Sequence, residues 1–191
     1  FLGASAHQIP PIKYAREQGH YVITSDYLPQ NPGHKLADES YTISTTDRKE
    51  ILRLSRKLKI DGIISYASDP AAPTQAYVSE KMGLIGNPYE SINILTRKDL
   101  FRKFLSENNF LIPRSNSFFS QDEAKDWLNK IGFPAIVKPV DSSGSKGVTK
   151  IYYQNELNDA FNHDLKFSTL KKVIIEEFFI RDSYQIAGDG F

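Results

Sequence analysis

The chain has 191 residues, 40% of them apolar, with 24 lysines and arginines against 23 aspartates and glutamates and a formal charge of +1. That is enough for one large domain or two small ones, and the near-balance of charge leaves no broad basic field for nucleic acid and no acidic tail. Cysteine is absent, which removes disulfides, thiolate nucleophiles and cysteine metal ligands and fits a reducing, cytoplasmic setting. The longest apolar runs fall short of the roughly 20 residues that span a membrane, and His7, His20, His34 and His163 are too scattered to suggest a histidine metal site.

Phe1 and Leu2 read as the end of a strand entering a Gly3-Ala4-Ser5 turn, and residues 184–191 as an alternating run that stops at a turn; both ends look cut, so a longer protein is expected. Pro10 and Pro11 suit the first turn of a helix, where a missing N–H does no harm, with Ile9, Ile12 and Ala15 on one face and Gly19 as its stop. Residues 21–24 form a second strand ending at Asp26. An acid there meets a ribose in many dinucleotide-binding folds, yet the G-x-G-x-x-G fingerprint is absent, and a loop acid capping nearby backbone explains Asp26 as well.

A turn at 31–34 and a short strand over 40–44 follow. Asp47 and Glu50 have capping-box spacing before a helix that buries Ile51, Leu54 and Leu58. Residues 62–66 read as a strand, a helix carries Ala72, Ala76 and Met82 to Gly83, and 84–85 reads as a last short strand. This alternation predicts a mostly parallel sheet flanked by helices.

The pattern then changes. Thr96 is placed to cap a helix that turns Phe101, Phe104 and Leu105 inward and ends at Asn108-Asn109. Lys98 sits in its first turn, where a cation opposes the helix dipole. Residues 115–119 form a strand, Ser120 to Glu123 a capping box, and Ala124, Trp127, Leu128 and Ile131 a buried helix face closed by Gly132.

Next comes Phe133-Pro-Ala-Ile-Val-Lys-Pro-Val-Asp-Ser-Ser-Gly-Ser-Lys-Gly-Val148. Its apolar run ends in Lys138, a charge that is costly to bury alone. The glycines let N–H groups converge, the serines add hydroxyls, and Lys146 adds charge, which suits a polyphosphate. The same residues equally make a plain β-hairpin, and they are not G-x-x-x-x-G-K-[ST]. A helix with Leu157, Ala160 and Phe161 follows, then a strand from Val173 to Phe179, whose Glu176 and Glu177 cannot both point inward because neighbours alternate sides.

In this order, Leu95-Thr-Arg-Lys98-Asp-Leu-Phe, Ile112-Pro113-Arg, Phe133-Pro-Ala-Ile-Val-Lys138-Pro, the loop 141–147 and Val173-Ile-Ile-Glu176-Glu177-Phe resemble the first half of the ATP-grasp fold. The stretch before Tyr89 resembles the Rossmann-like domain that precedes it. Within that superfamily the chain looks most like carbamoyl-phosphate-synthase large-chain proteins. The resemblance implies an α/β architecture: a Rossmann-like pre-ATP-grasp domain over 1–95, a linker helix over 96–112, and the α+β nucleotide-lid subdomain over 113–191, with the C-terminal half missing.

It also implies that Lys98 and Lys138 meet α- and β-phosphate oxygens of ATP, and that Ser142, Ser143, Gly144, Ser145 and Lys146 form a loop closing over the β- and γ-phosphates. Glu176, Glu177, Phe178 and Phe179 would form the adenine hinge. Family members place a second acid shortly after the hinge, just before an aromatic; here Ser183 precedes Tyr184 and Asp182 stands one earlier, so the ribose contact departs from the pattern. Magnesium ligands and the catalytic arginine would lie beyond Phe191, leaving no catalytic residue and no metal ligand in this chain.

The implied function is the ATP-binding part of a ligase that activates a carboxylate as an acyl phosphate for attack by an amine. Its partners would be ATP, Mg²⁺, a carboxylate and an amine, with no nucleic acid or membrane and a possible homodimer. The chain alone would bind ATP weakly and turn nothing over. A nucleotide-sensing or scaffold module without ligase activity is the alternative, and a Rossmann-type binding domain with an appended hairpin unit is a third reading.

Overall fold

A computed structural model describes residues 1–184, so most of the strand-like run read over 184–191 lies outside the described residues. The chain divides after Leu100 into two compact units.

The first unit contains α1 (Ile9–Glu17), β1 (Ile23–Ser25), β2 (Glu39–Tyr41), α2 (Arg48–Leu58), α3 (Ala72–Met82) and α4 (Tyr89–Thr96). β1 and β2 pair in parallel, Ile23 opposite Glu39, and Leu2 bridges in parallel to Ser25 on the other side of β1. Asp47 caps α2 by accepting from the backbone N–H of Glu50. Ile51 and Leu52 pack with Leu2, Ala71 and Val78 as the core of this unit. Leu54 and Leu58, expected in the same stripe, are only half-buried.

Two expected strands do not form. Over 62–66 the backbone groups that a neighbouring strand would use are taken by side chains: Ser65 N–H donates to Gln75 Oε1 at 2.9 Å and the Tyr66 carbonyl accepts from Gln8 Nε2 at 2.6 Å. Among the described residues only the Ile64 carbonyl meets a strand-like neighbour, accepting from Leu2 N–H at 2.8 Å. At 84–85 the chain is still closing α3. Gly83 takes the left-handed conformation at φ +68°, and Leu84 N–H reaches back to the Ser79 carbonyl at 2.9 Å, so the stretch is a helix cap and Ile85 is exposed.

Thr96 is not an N-cap. It ends α4, and its hydroxyl donates back to the Ile92 carbonyl at 2.8 Å. The next helix, α5 (Lys98–Glu107), begins two residues later, and Phe104 on it is exposed rather than inward-facing.

The second unit contains β3 (Ser115–Phe118), α6 (Gln121–Ile131), β4 (Ala135–Pro139), β5 (Thr149–Ile151), α7 (Leu157–Leu165) and β6 (Val173–Glu177), with the strands ordered β3-β6-β4-β5 and antiparallel throughout. Ser120 caps α6 by accepting from Glu123 N–H. Period-2 alternation sends Ala135 and Val137 of β4, Ile151 of β5, and Val173 and Ile175 of β6 into one core with Ala124, Leu128 and Ile131 of α6 and Leu157, Ala160 and Phe161 of α7. Both helices therefore cover one face of the sheet. Ile136, Lys138, Ile174 and Glu176 belong to the other.

Candidate functional site

On that second face the register sets Ile136 across from Glu176 and Lys138 across from Ile174, so Lys138 and Glu176 are diagonal neighbours. They meet: Lys138 Nζ donates to Glu176 Oε2 at 2.6 Å. Arg102, from α5, donates through Nε to Oε1 at 2.9 Å and through Nη2 to Oε2 at 3.4 Å. The Glu176 side chain is 5% exposed, against 16% for Lys138 and 24% for Arg102. A carboxylate this buried needs counter-charge, and Glu176 has two cations rather than one.

Glu177 points the other way. It accepts from Arg114 backbone N–H at 2.9 Å and from Arg114 Nε at 2.6 Å. The backbone hydrogen bond first, and the guanidinium after it, hold its carboxyl below the usual glutamate range. Arg114 also donates to the Ile131 carbonyl at 3.0 Å, which ties the entry of β3 to the end of α6. Of the two adjacent acids, one meets cations on the face opposite α6 and α7 and the other fastens the scaffold.

Phe178 continues the strand by donating its N–H to the Pro134 carbonyl at 3.2 Å. Its ring lies under the Lys150 ammonium, 3.5 Å from the centroid. Lys150 is paired with Ile136 and so shares the Lys138 face. Phe179, Asp182 and Ser183 are exposed.

The glycine- and serine-rich stretch is the turn of a β4–β5 hairpin. Gly144 and Ser145 take consecutive left-handed conformations at φ 63° and 57°, and Ser142 Oγ donates to the Lys146 carbonyl at 3.0 Å. Gly144, Ser145 and Lys146 are exposed, while Ser142 and Ser143 are half-buried. Its base is fixed. The Asp141 carboxylate accepts from Ser168 Oγ at 2.6 Å and Leu170 N–H at 3.0 Å. A Cβ on Gly147 would stand 2.7 Å from the Phe167 ring, so only glycine fits there without displacing it. Behind the loop, Asp164 is fully buried at the end of α7. Its Oδ1 accepts from Thr149 Oγ1 at 2.9 Å and lies 2.7 Å from His163 Nδ1. Its Oδ2 has no hydrogen-bond partner among the described residues, and burial pushes its carboxyl above the usual aspartate range.

Lys98 is the half-buried first residue of α5 and belongs to the first unit. Its apparent conflict with the helix dipole is offset next door. Asp99, also in the first turn, pairs with Arg97 at 2.7 Å and supplies the negative charge a helix start favours. Asp26, the strand-end acid of the first unit, is the capping acid of the plainer reading: it accepts from Ala4 N–H at 2.9 Å, Leu28 N–H at 3.0 Å and Asn31 Nδ2 at 2.9 Å.

The structure thus brings Lys138 and Glu176 together, sets Phe178 just past the end of β6, and hangs the 142–146 loop from the end of β4. It turns Glu177 to the opposite side. Arg102 and Lys150 were not singled out in the sequence. Parity with Ile136 and Lys138 across the hairpin could have found Lys150; Arg102 sits 74 residues from Glu176, with no local signal. Among the described residues no group of three or more histidine, aspartate or glutamate side chains could hold a metal ion, and no helix is long and apolar enough to cross a membrane.

Residues 105–187 match the family described as the D-ala D-ala ligase C-terminus. A phosphoribosylamine–glycine ligase of Pyrococcus abyssi is 30% identical over 183 residues, covering 89% of this chain and 40% of that protein. A carbamoyl phosphate synthase large chain of Thermoanaerobacter sp. is 27% identical over 158 residues, covering 82% of this chain and 14% of its own length. The N5-carboxyaminoimidazole synthetase of Staphylococcus aureus, solved in complex with ADP, superposes with a TM-score of 0.70 at 19% identity over 93% of this chain and 46% of that one, a likeness of fold. The chain spans less than half the length of these relatives.

Proposed function

Because the chain belongs to the ATP-grasp superfamily, we propose that it is the ATP-holding part of a ligase that activates a carboxylate as an acyl phosphate for attack by an amine. The observation that carries this reading is the meeting of Lys138 and Glu176 at 2.6 Å on the face of the sheet opposite α6 and α7, with Lys138 on the strand that leads into the glycine- and serine-rich turn. ATP supplies the phosphoryl group. Lys138 offers a charge-assisted contact to phosphate oxygens, backbone N–H groups and hydroxyls of 142–146 offer further donors, and Glu176 to Phe179 offers backbone groups to the adenine edge. Lys98 keeps its proposed phosphate role, and Asp182 or Ser183 its proposed place near the ribose. Residues 1–95, 96–112 and 113–191 are proposed as pre-ATP-grasp domain, linker helix and lid subdomain.

Relatives named as a phosphoribosylamine–glycine ligase and a carbamoyl phosphate synthase support carbon–nitrogen bond formation in general, and carbamoyl-phosphate-like chemistry is the narrower proposal. The described residues do not fit a magnesium site.

Calorimetry of the whole protein with Mg-ATP, beside a coupled ADP-release assay with carboxylate and amine substrates, tests the reading. Lys138→Ala removes one charge-assisted contact, worth about 1.5–3 kcal/mol, so ATP affinity falls by about ten- to a hundredfold. Lys98→Ala gives a similar or smaller loss. Undiminished ATP binding by Lys138→Ala overturns the phosphate role. ATP binding without turnover on any carboxylate and amine favours a regulatory ATP-binding module.

A further inference from the structure

We propose that Arg102 is a positioning residue whose work is to free Lys138 for phosphate; this rests on the nucleotide-binding reading above. One cation is enough to neutralise one buried carboxylate. Glu176, at 4% exposure, has two, leaving one positive charge in excess within the group of Glu176, Lys138 and Arg102. For Lys138 to reach an incoming phosphate, its ammonium must leave Glu176 Oε2, where it sits at 2.6 Å. Were Lys138 the sole partner, that departure would strand an unpaired carboxylate in the interior, and Lys138 would stay where it is.

Arg102 removes the obstacle. Its Nε already holds Oε1 at 2.9 Å, and its Nη2 stands 3.4 Å from Oε2, the oxygen that Lys138 occupies. As Lys138 leaves, that longer contact can shorten into the second arm of a two-point guanidinium–carboxylate pair. A lysine at position 102 could supply the charge but not the fork. The excess positive charge itself favours an anion at this place and no second carboxylate.

The test measures ATP affinity by calorimetry and adenosine affinity by ligand-observed NMR in the whole protein, for wild type, Arg102→Met and Arg102→Lys, each in the native and the Glu176→Gln background. Arg102→Met lowers ATP affinity about tenfold, because Lys138 is then held by Glu176. Adenosine affinity is unchanged, since it carries no phosphate for Lys138 to meet. Arg102→Lys loses about threefold on ATP and nothing on adenosine. In the Glu176→Gln background Arg102→Met changes ATP affinity by less than about twofold, since no charge then holds Lys138. Should Arg102→Met fail to fold, the Arg102→Lys result decides alone. Equal losses on ATP and adenosine, an unchanged loss in the Glu176→Gln background, or full ATP affinity in Arg102→Lys overturns the inference. Failure of the wild-type protein to bind ATP overturns the nucleotide reading beneath it, a result distinct from any of these.

Discussion

Asp26 and Glu176 look alike in outline: each is an acid at or next to the end of a short buried strand, 7% and 4% exposed. Their partners separate them. Asp26 is consumed by its own turn, accepting from two backbone N–H groups and the Asn31 amide. Among the described residues, the Glu176 carboxylate accepts only from the ends of two long cationic side chains. Backbone donors cannot leave without unfolding the turn, whereas an ammonium on a four-carbon stem can change partners with a rotamer change. A strand-end acid tied to backbone is scaffold; one tied to side-chain cations is an exchangeable site.

The largest effect that would break this comparison comes from Asp26→Ala. It leaves two buried backbone donors and one amide unsatisfied, at about 1–3 kcal/mol each, so the first unit should lose about 3 kcal/mol or more of stability in urea denaturation. Binding of ATP by the fraction that remains folded should be unaffected. A stable Asp26→Ala variant with weakened ATP binding would mean that the two acids share a role and that the ribose reading of Asp26 was discarded wrongly.

Much of this contrast was open to reading in the sequence, but only where periodicity or a costly charge marked it. α6, α7, β4 and β6 follow their 3.6- and 2-residue patterns, and Lys138 declared itself as a charge at the end of an apolar strand. α4 was hidden because its Ser91-Ile92-Asn93-Ile94 centre is poor in helix formers. The strand over 62–66 was lost to Gln8 and Gln75, side chains whose reach across the fold no local pattern records. Arg102 lies on the polar side of an amphipathic helix, where it looks like any solvated arginine until Glu176 is placed beside it.

Glu177 sharpens the comparison with a smaller effect, as a scaffold acid adjacent to the exchangeable one. Its partners are the Arg114 backbone and guanidinium, and its carboxyl is held below the usual range. The stability this provides is therefore fully present above the ordinary glutamate value and is lost as the pH falls through the lower, folded one. Wild type should exceed Glu177→Gln in melting temperature at neutral pH, with the gap closing from about pH 5 to pH 3. ATP affinity should be the same in both. A gap that persists into acid would show that Glu177 contributes through packing and not through charge.

The smallest effect concerns Asp164, a buried acid with one oxygen lacking a hydrogen-bond partner among the described residues. It is fully buried, Oδ1 meets Thr149 and His163, and Oδ2 meets no hydrogen-bond donor among the described residues. Burial dominates and pushes its carboxyl upward, with the His163 and Thr149 hydrogen bonds offsetting only part of the shift. An acid whose folded value is raised carries no penalty below its unfolded value; the penalty grows as the pH rises and is complete above the raised one. Asp164→Asn keeps an acceptor for the Thr149 hydroxyl and removes the charge. It should match wild type in acid and exceed it by about 1 kcal/mol at neutral pH, since a buried uncharged amide lacking one partner costs less than a buried charge lacking one. Urea midpoints of the two proteins from about pH 4 to pH 8 measure the difference. A wild-type advantage that grows with pH would mean that ionised Asp164 is held by the His163 ring more firmly than it is penalised by burial, and would move it from the strained acids to the paired ones, beside Glu176.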